Sequence, residues 1–419
     1  MSNLEKSLKI KTTMANNKVR RAALSVKVFE LKIDESHISK RKLRLLNDNF
    51  IQAKWLYNYI ISNDNIFDFN SKVKEIEVKK FNPETQKCDT STIRPLTIGS
   101  QIKQSIVDRA IQNVYNLAKA KRAGLEIGKL KVKKEVNSIP LKQFGVTFKI
   151  KNDKYLSIQG VGLLRVNGLW QIKGFDIANA VLIKKASGYF VKVTIYKEKD
   201  KIETNGQSIG IDFGIKDSIA LSNGEKYNYQ FEIPKELKSK QRRLSKKKKN
   251  SKNYIKQCRK IKKSYEKYTN RKNDAANKVV ANLKKYDTVV FQDENIKGWH
   301  MNLFGKQVQQ SILGRIKTRL KELETSIMID RWLPTTKLSP VSGKIINISL
   351  NERTFSDGEY QEDRDIKSAK TILAFGLHDP KLTRKELMSL PAEAITSIFP
   401  DYMFGQNKSL SMKQEATAL

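Results

Sequence analysis

The chain has 419 residues, 81 Lys plus Arg against 43 Asp plus Glu, and a formal net charge of +38. At 39% hydrophobic and 8% aromatic it can bury real cores, which excludes a disordered basic tail, and its length suggests two or three domains. Two cysteines, Cys88 and Cys258, exclude a disulfide scaffold and a four-cysteine zinc site. No apolar run approaches the roughly 18–20 residues that span a bilayer, and the opening MSNLEKSLKIKTTM has no apolar core of a secretory signal. A positive excess this large repels itself unless a polyanion neutralises it, so nucleic acid is the economical partner.

The first fifteen residues are polar and read as flexible. Arg21–Lys32 (RAALSVKVFELK) alternates apolar and polar, the signature of a half-buried strand. Ser36–Ile61 turns helical, with Leu43, Leu46, Phe50, Ala53, Leu56, Tyr57 and Ile60 at three- and four-residue spacing. Phe67–Thr92 reads as a loop, and Gly99–Ala120 as a second helix. From Gly128 to Lys199 short strands are broken by Asn-Asp, Asn-Gly and Ser-Gly turns. Strands on both sides of a helical insert suggest a β-barrel-like domain with a helical domain inside it.

Thr204–Gly206 reads as a boundary. After it, IGIDFGIKD and its neighbours predict a β-hairpin unit, and Pro234–Lys285 a long helical stretch. Strands follow at Asp287–Phe291 and Ser326–Trp332, helices at Lys306–Leu323 and Asp365–Phe375. This order suggests an RNase H-like α/β domain, so the class is multidomain α+β. Pro391–Leu419 reads as loosely ordered.

Lys235–Lys272 holds eighteen Lys or Arg against two Glu. It reads as a helical hairpin lying along phosphates, with Lys240, Arg242, Arg243, Lys246, Lys247, Lys248, Lys249, Lys256, Arg259 and Lys263 as the candidate contacts. In the two earlier helices, Tyr57 (with Trp55 and Asn58) and Gln101 and Gln104 (with Lys103) are placed to read base edges. Trp299, beside Lys297 and His300, is a candidate for stacking on exposed bases, or a core anchor.

Asp212 sits in an apolar strand between Gly210 and Gly214, an expensive place for a carboxylate unless it is paired or on a metal. It could cap a turn, open an actin-like ATPase phosphate motif, or be the first metal-binding acid of an RNase H-like nuclease. No downstream Asp-Gly-Gly hairpin or Gly-Gly adenosine loop supports the ATPase. Two later segments favour the nuclease: Gln292-Asp293-Glu294-Asn295 ends a buried strand, and Asp363-Arg364-Asp365 opens a helix. Three carboxylates at one end of such a sheet could hold two divalent ions, and carboxylate ligands suit magnesium.

The order IGIDFGIKD, a Lys-rich helical pair, VVFQDENIKGWH, then SPVSG…RTFSDGEYQEDRDIKSAKTIL resembles transposon-encoded TnpB proteins and their relatives, the miniature type V CRISPR effectors. The motifs cover about residues 205–375; the segments before them match in order only. The resemblance implies an RNA-guided DNA endonuclease whose partners are a guide RNA and target double-stranded DNA, with no membrane partner and the oligomeric state left open. It implies a prokaryotic cytoplasmic location, at the nucleoid when bound to target. It maps residues 16–35 and 124–203 onto a wedge barrel, 36–123 onto a recognition insert, and 204–333 with 361–390 onto a RuvC-like nuclease. Residues 334–360 fall where the family has a zinc ribbon, with 1–15 and 391–419 as flexible ends.

By motif, Asp212 is the first acid and Asp365 the third. Many relatives have Glu-Asp-Leu-Asn, which would put the second acid at Gln292. Residues i and i+2 share a strand face, so Glu294 takes that role here, with Asp293 the fallback. Magnesium would lie on Asp212, Glu294 and Asp365. Ser339, Ser342 and the stretch 356–360 stand where the family has cysteine pairs, so zinc is not expected. This loss motivates an alternative: an RNA-guided binder that no longer cuts and acts on transcription.

Overall fold

The computed structural model describes residues 3–80, 90–199, 203–215, 218–301, 304–349, 351–358 and 360–404. The chain divides into two compact units, Met1–Asp200 and Lys201–Leu419.

The first unit opens on helix α1 (Asn3–Ala22), where sequence reasoning expected flexible chain over 1–15. The stretch is polar but holds good helix formers, and Arg20 and Arg21 at its end pair with Asp176 at 2.7 and 2.9 Å. Strand β1 (Ser25–Lys32) and helix α2 (Lys40–Ile61) follow. Ser39 caps α2 by accepting from the Lys42 N–H at 3.3 Å, and the apolar stripe from Leu46 to Ile60 is buried as its spacing predicts. The segment read as a loop carries a hairpin, β2 (Glu75–Lys80) with β3 (Thr90–Pro95). Its Lys and Glu content masks the alternation. Helix α3 (Ser100–Arg122) packs beside α2.

Six further strands complete this unit: β4 (Ser138–Leu141), β5 (Phe148–Ile150), β6 (Tyr155–Ile158), β7 (Gly162–Arg165), β8 (Asp176–Lys185) and β9 (Gly188–Lys197). They form an antiparallel sheet β1-β9-β8-β4 and a smaller sheet β5-β6-β7, bridged at Ile33–Val166, rather than one continuous barrel sheet. In β9, Tyr189, Val191, Val193 and Ile195 point inward and alternate with half-exposed residues.

The second unit is built on a five-stranded sheet. Its strands are β10 (Ser208–Phe213), β11 (Ile219–Leu221), β12 (Lys226–Tyr227), β13 (Thr288–Gln292) and β14 (Ser326–Ile329), in the order β12-β11-β10-β13-β14. The β10–β13 and β13–β14 pairs are parallel. The long basic stretch is two helices, α4 (Lys235–Ser245) and α5 (Lys252–Leu283). Lys246–Lys249 lies in the turn between them, which closes on Asn250 at φ +65°. The short helices α6 (Ile296–Met301), α7 (Gly305–Gln310) and α8 (Leu313–Leu320) come before β14. One core joins α5 and α8 to the sheet.

A hairpin, β15 (Thr354–Asp357) with β16 (Tyr360–Asp363), leads into helix α9 (Arg364–His378). A second core joins α9 to the sheet. The helices α10 (Arg384–Met388), α11 (Ala392–Ser397) and α12 (Asp401–Phe404) follow. The expectation of a loose end from 391 fails over its first part, because Ile395, Ile398, Phe399 and Phe404 are buried in that second core. Residues 405–419 lie outside the described residues.

Two glycines permit the fit of α9. A Cβ on Gly210 would lie 2.1 Å from the Ala369 carbonyl oxygen, and one on Gly376 2.3 Å from Val290. The space at Gly210 is thus filled by a helix.

Residues 339–343, in the stretch expected to stand where a zinc ribbon would be, form a tight turn without thiolates. The Ser339 hydroxyl accepts from the N–H groups of Val341 and Ser342, each at 3.1 Å, and Gly343 takes φ +67°. Ser342 donates to Asp357 at 2.5 Å. Hydroxyl hydrogen bonds hold this turn. Ser339 is fully buried, so Ser339→Ala would leave two amides unpaired and destabilise this segment by about 1–3 kcal/mol. Chemical denaturation measures the loss, and a zinc chelator should leave the wild-type transition unmoved.

Candidate nuclease and nucleic-acid site

Three elements bring carboxylates to one end of the second unit's sheet. Asp212 is near the end of β10, Glu294 follows β13, and Asp365 sits in the first turn of α9. Asp212 keeps part of its surface open, but protein crowds its carboxyl elsewhere. That desolvation, then the charges of Asp365 and Glu294, push its pKa up to about 8. Arg364 and the Ser368 hydroxyl oppose the shift. Burial also raises the Glu294 carboxyl above its ordinary range.

Asp293 has a different fate. It is bound by Arg331 at 2.6 Å, Lys317 at 2.7 Å and Lys321 at 3.1 Å, and these cations hold its carboxyl well below the usual range against desolvation. It is an ion-pair hub, and Asp212 feels Glu294 instead.

The helix cap at α9 is Asp363. Its Oδ1 accepts from the Asp365 and Ile366 N–H groups at 3.0 and 3.1 Å, and it pairs with Lys226 at 2.7 Å. Asp365 is therefore not the cap. It faces Arg364 at 3.3 Å, Lys226 at 3.5 Å and Arg353 at 3.7 Å.

Gln292 does not occupy an acid's place. It is buried, and its amide nitrogen donates to the carbonyls of Asp330 and Leu333 at 3.0 and 2.9 Å. Its oxygen accepts from the Thr335 hydroxyl at 3.2 Å, and Ser368 donates to Thr335 at 3.2 Å. Lys367, fully buried, donates to the carbonyls of Thr335, Thr336 and Leu338. Burial lowers its pKa to about 7, opposed by Glu362 and Asp212. Sequence reasoning missed Lys367 and the bracing role of Gln292.

Among the described residues, no three His, Cys, Asp or Glu side chains are grouped to hold an ion as they stand. The donor chemistry nonetheless suits a hard divalent cation. Desolvation, with the charges of Asp365 and Glu294 added to it, keeps a proton on Asp212 into neutral pH, and a cation would oppose that shift.

The basic hairpin presents most of its candidates to solvent: Arg242, Arg243, Lys246, Lys248, Lys249, Lys256, Arg259 and Lys263 are exposed, and Lys247 is half-buried. Lys240 is otherwise engaged, pairing with Glu236 at 2.6 Å and donating to Ser264 at 2.8 Å, so it ties α4 to α5. Trp299 packs partly buried against the core that joins α5 to the sheet, in line with the core-anchor alternative weighed for it.

Of the proposed base readers of the first unit, Tyr57 is buried and Gln101 and Gln104 are half-buried. Tyr57 is buried, its hydroxyl accepts from Asn113 at 3.0 Å, and Lys133 lies 3.8 Å over its ring. Asn58 exchanges two hydrogen bonds with the Lys133 backbone. Gln101 donates to Gln143. Gln104 accepts from the Ser71 N–H at 3.1 Å and donates to Asp108 at 2.8 Å. Lys103 is buried on the Val73 carbonyl at 2.7 Å. Tyr57, Asn58, Lys103 and Gln104 are spent on the fold, and polar residue type alone could not reveal that, whereas the Gln101 amide oxygen is buried with no hydrogen-bond partner among the described residues.

Comparison with known proteins adds an independent line. Residues 190–298 match the profile of OrfB_IS605, described as a probable transposase. The chain is similar to transposon-encoded TnpB proteins, as its motifs indicated. The matched segment contains Asp212, Glu294 and the basic hairpin; Asp365 lies beyond it. A Streptomyces pristinaespiralis protein provisionally named an RNA-guided DNA endonuclease is 29% identical over 208 residues, 46% of this chain. The chain spans about half the length of that relative (51%). A cryo-EM structure of a Cas12f1–sgRNA–target DNA complex aligns with a TM-score of 0.45 at 12% identity, covering 84% of this chain and 99% of that one. Among the described residues, no helix is long and apolar enough to cross a membrane.

Proposed function

We propose that this protein is an RNA-guided DNA endonuclease of RuvC-like type, working in the prokaryotic cytoplasm on a guide RNA and a target duplex. The observation that carries the reading is the placement of Asp212, Glu294 and Asp365 at one end of a mixed sheet, where desolvation and then the charges of Asp365 and Glu294 raise the Asp212 carboxyl. The TnpB-type similarity and the relative's name agree with it. Asp212, Glu294 and Asp365 would hold magnesium, which when bound polarises a phosphodiester and activates water. The chain's own groups do the rest. Asp363 fixes the start of α9 and with it Asp365, while Lys226 and Arg364 balance the anionic pocket until a metal enters.

The remaining assignments follow from the same reading. The second unit is the nuclease, with residues 334–360 as its metal-free ribbon remnant. In the first unit, the sheets serve as the wedge and the α2–α3 region as the recognition part. The α4–α5 hairpin grips phosphates. Binding of copurifying RNA should fall steeply with salt, and each exposed cation removed, such as Arg242 or Lys256, should flatten the log–log slope by about 0.7–0.9.

Sequencing the RNA that copurifies, then offering a matched duplex with magnesium, tests the function. Cleavage at the matched site is the expected result. A duplex that is bound but left whole by the wild-type protein would refute the endonuclease and leave a binder.

A further inference from the structure

We infer that Trp332 is a stacking platform for an unpaired base of a DNA strand beside the carboxylate site. The inference rests on the reading of that site as one that acts on nucleic acid.

The sheet's edge strand β14 ends at Ile329, and the chain then turns at 331–332 and again at 335–337. Within this stretch the Trp332 indole is 66% exposed. A lone exposed apolar residue is ordinary on a protein surface. The backbone under this one is not ordinary. Gln292 holds the carbonyls on either side of it, those of Asp330 and Leu333. Arg331 is fastened to Asp293 at 2.6 Å. The Trp332 N–H donates to Asp330 at 3.3 Å. Downstream, the fully buried Lys367 pins the carbonyls of Thr335, Thr336 and Leu338.

A buried amide and a buried cation thus rigidify a turn whose outward side chain is a large aromatic. Fixing the backbone beforehand removes an ordering cost that binding would otherwise meet. An indole on a fixed turn offers a flat π-face suited to any base.

The turn also touches the acids' surroundings at several points. Gln292 is two residues before Glu294, Arg331 grips the neighbouring Asp293, and Thr335 bonds Ser368, the hydroxyl that contacts Asp212. Exposed Lys321 and Arg331, both gathered on Asp293, supply positive charge near the end of β13 for a phosphate backbone. These positions suit one occupant: a strand whose bases are unpaired as its phosphate reaches the site.

The test is a binding measurement that does not need cleavage. Full-length protein as purified, in EDTA and about 0.3 M salt to weaken phosphate contacts, is titrated against a short fluorescent oligothymidylate. Trp332→Ala should weaken binding about tenfold, within the range for one stacked base, and Trp332→Phe should recover most of it. An abasic strand of the same length should bind wild type and Trp332→Ala alike. Trp170→Ala, removing a 67% exposed indole of the other unit, should change nothing. The inference is overturned if Trp332→Ala stays within about twofold of wild type, or if the loss is equal on the abasic strand. It also falls if Trp170→Ala produces the same loss. A wild-type protein that never cuts, with the Trp332 difference intact, would refute the nuclease and leave the platform standing.

Discussion

Asp212→Asn should raise the stability of the metal-free protein at neutral pH while abolishing cleavage. The folded Asp212 carboxyl keeps its proton up to about 8, whereas an unfolded aspartate releases it near 4. Between those values only the folded chain holds the proton. Stability therefore falls as pH rises through this window, by at most about 1.4 kcal/mol per pH unit. At pH 7 the ceiling is about 4 kcal/mol, reduced by the solvent that reaches the residue. Asparagine stays neutral throughout, so the variant should show a flatter pH profile between about pH 5 and 8. Magnesium should raise the wild-type transition and leave the variant's unchanged, since an ion favours the ionised acid. Cleavage should drop by more than the ten- to hundredfold typical of groups behind the ligands. Superimposable pH profiles for the two proteins would remove the buried-acid argument.

Lys367→Ala should be the most disruptive single change in the second unit outside its apolar core. It opens a cavity and orphans three carbonyls, an expected loss of about 3–5 kcal/mol. Lys367→Met refills the volume and relieves a buried cation, leaving only the carbonyl penalty of about 1–3 kcal/mol. A chain of two units need not melt in one step, so hydrogen exchange at residues 335–338 is the sharper readout. Unchanged exchange in Lys367→Met would show that the lysine does not brace this turn.

Local pattern made much of this molecule legible. The stripe from Leu46 to Ile60, the alternation in β9, and the small residues Ser368 and Ala369 behind Asp365 each carry a period or a size that burial requires. What escaped depends on partners distant in sequence. Gln292 looked like a lost acid because its true partners, Asp330, Leu333 and Thr335, lie about forty residues on. Lys367 looked like one more surface cation among 81 basic residues. Tyr57 and Gln104 looked free because a polar residue type does not say whether its hydrogen bonds are already taken. The N-terminal helix was hidden by a polar composition that a helix tolerates well.

The near-collision at Gly210 also serves as a ruler. Asp212 lies two residues along β10 from that glycine, about 6.6 Å. Asp365 lies four residues back along α9 from Ala369, whose carbonyl rests on the glycine, about 6 Å along the helix axis. The close approach of α9 to β10 at this glycine thus bears on how far Asp365 sits from Asp212. The separation of the first and third carboxylates is therefore set by a missing methyl group elsewhere in the fold. A Gly210→Ala protein would lift α9 from the sheet and part the two acids without altering either one.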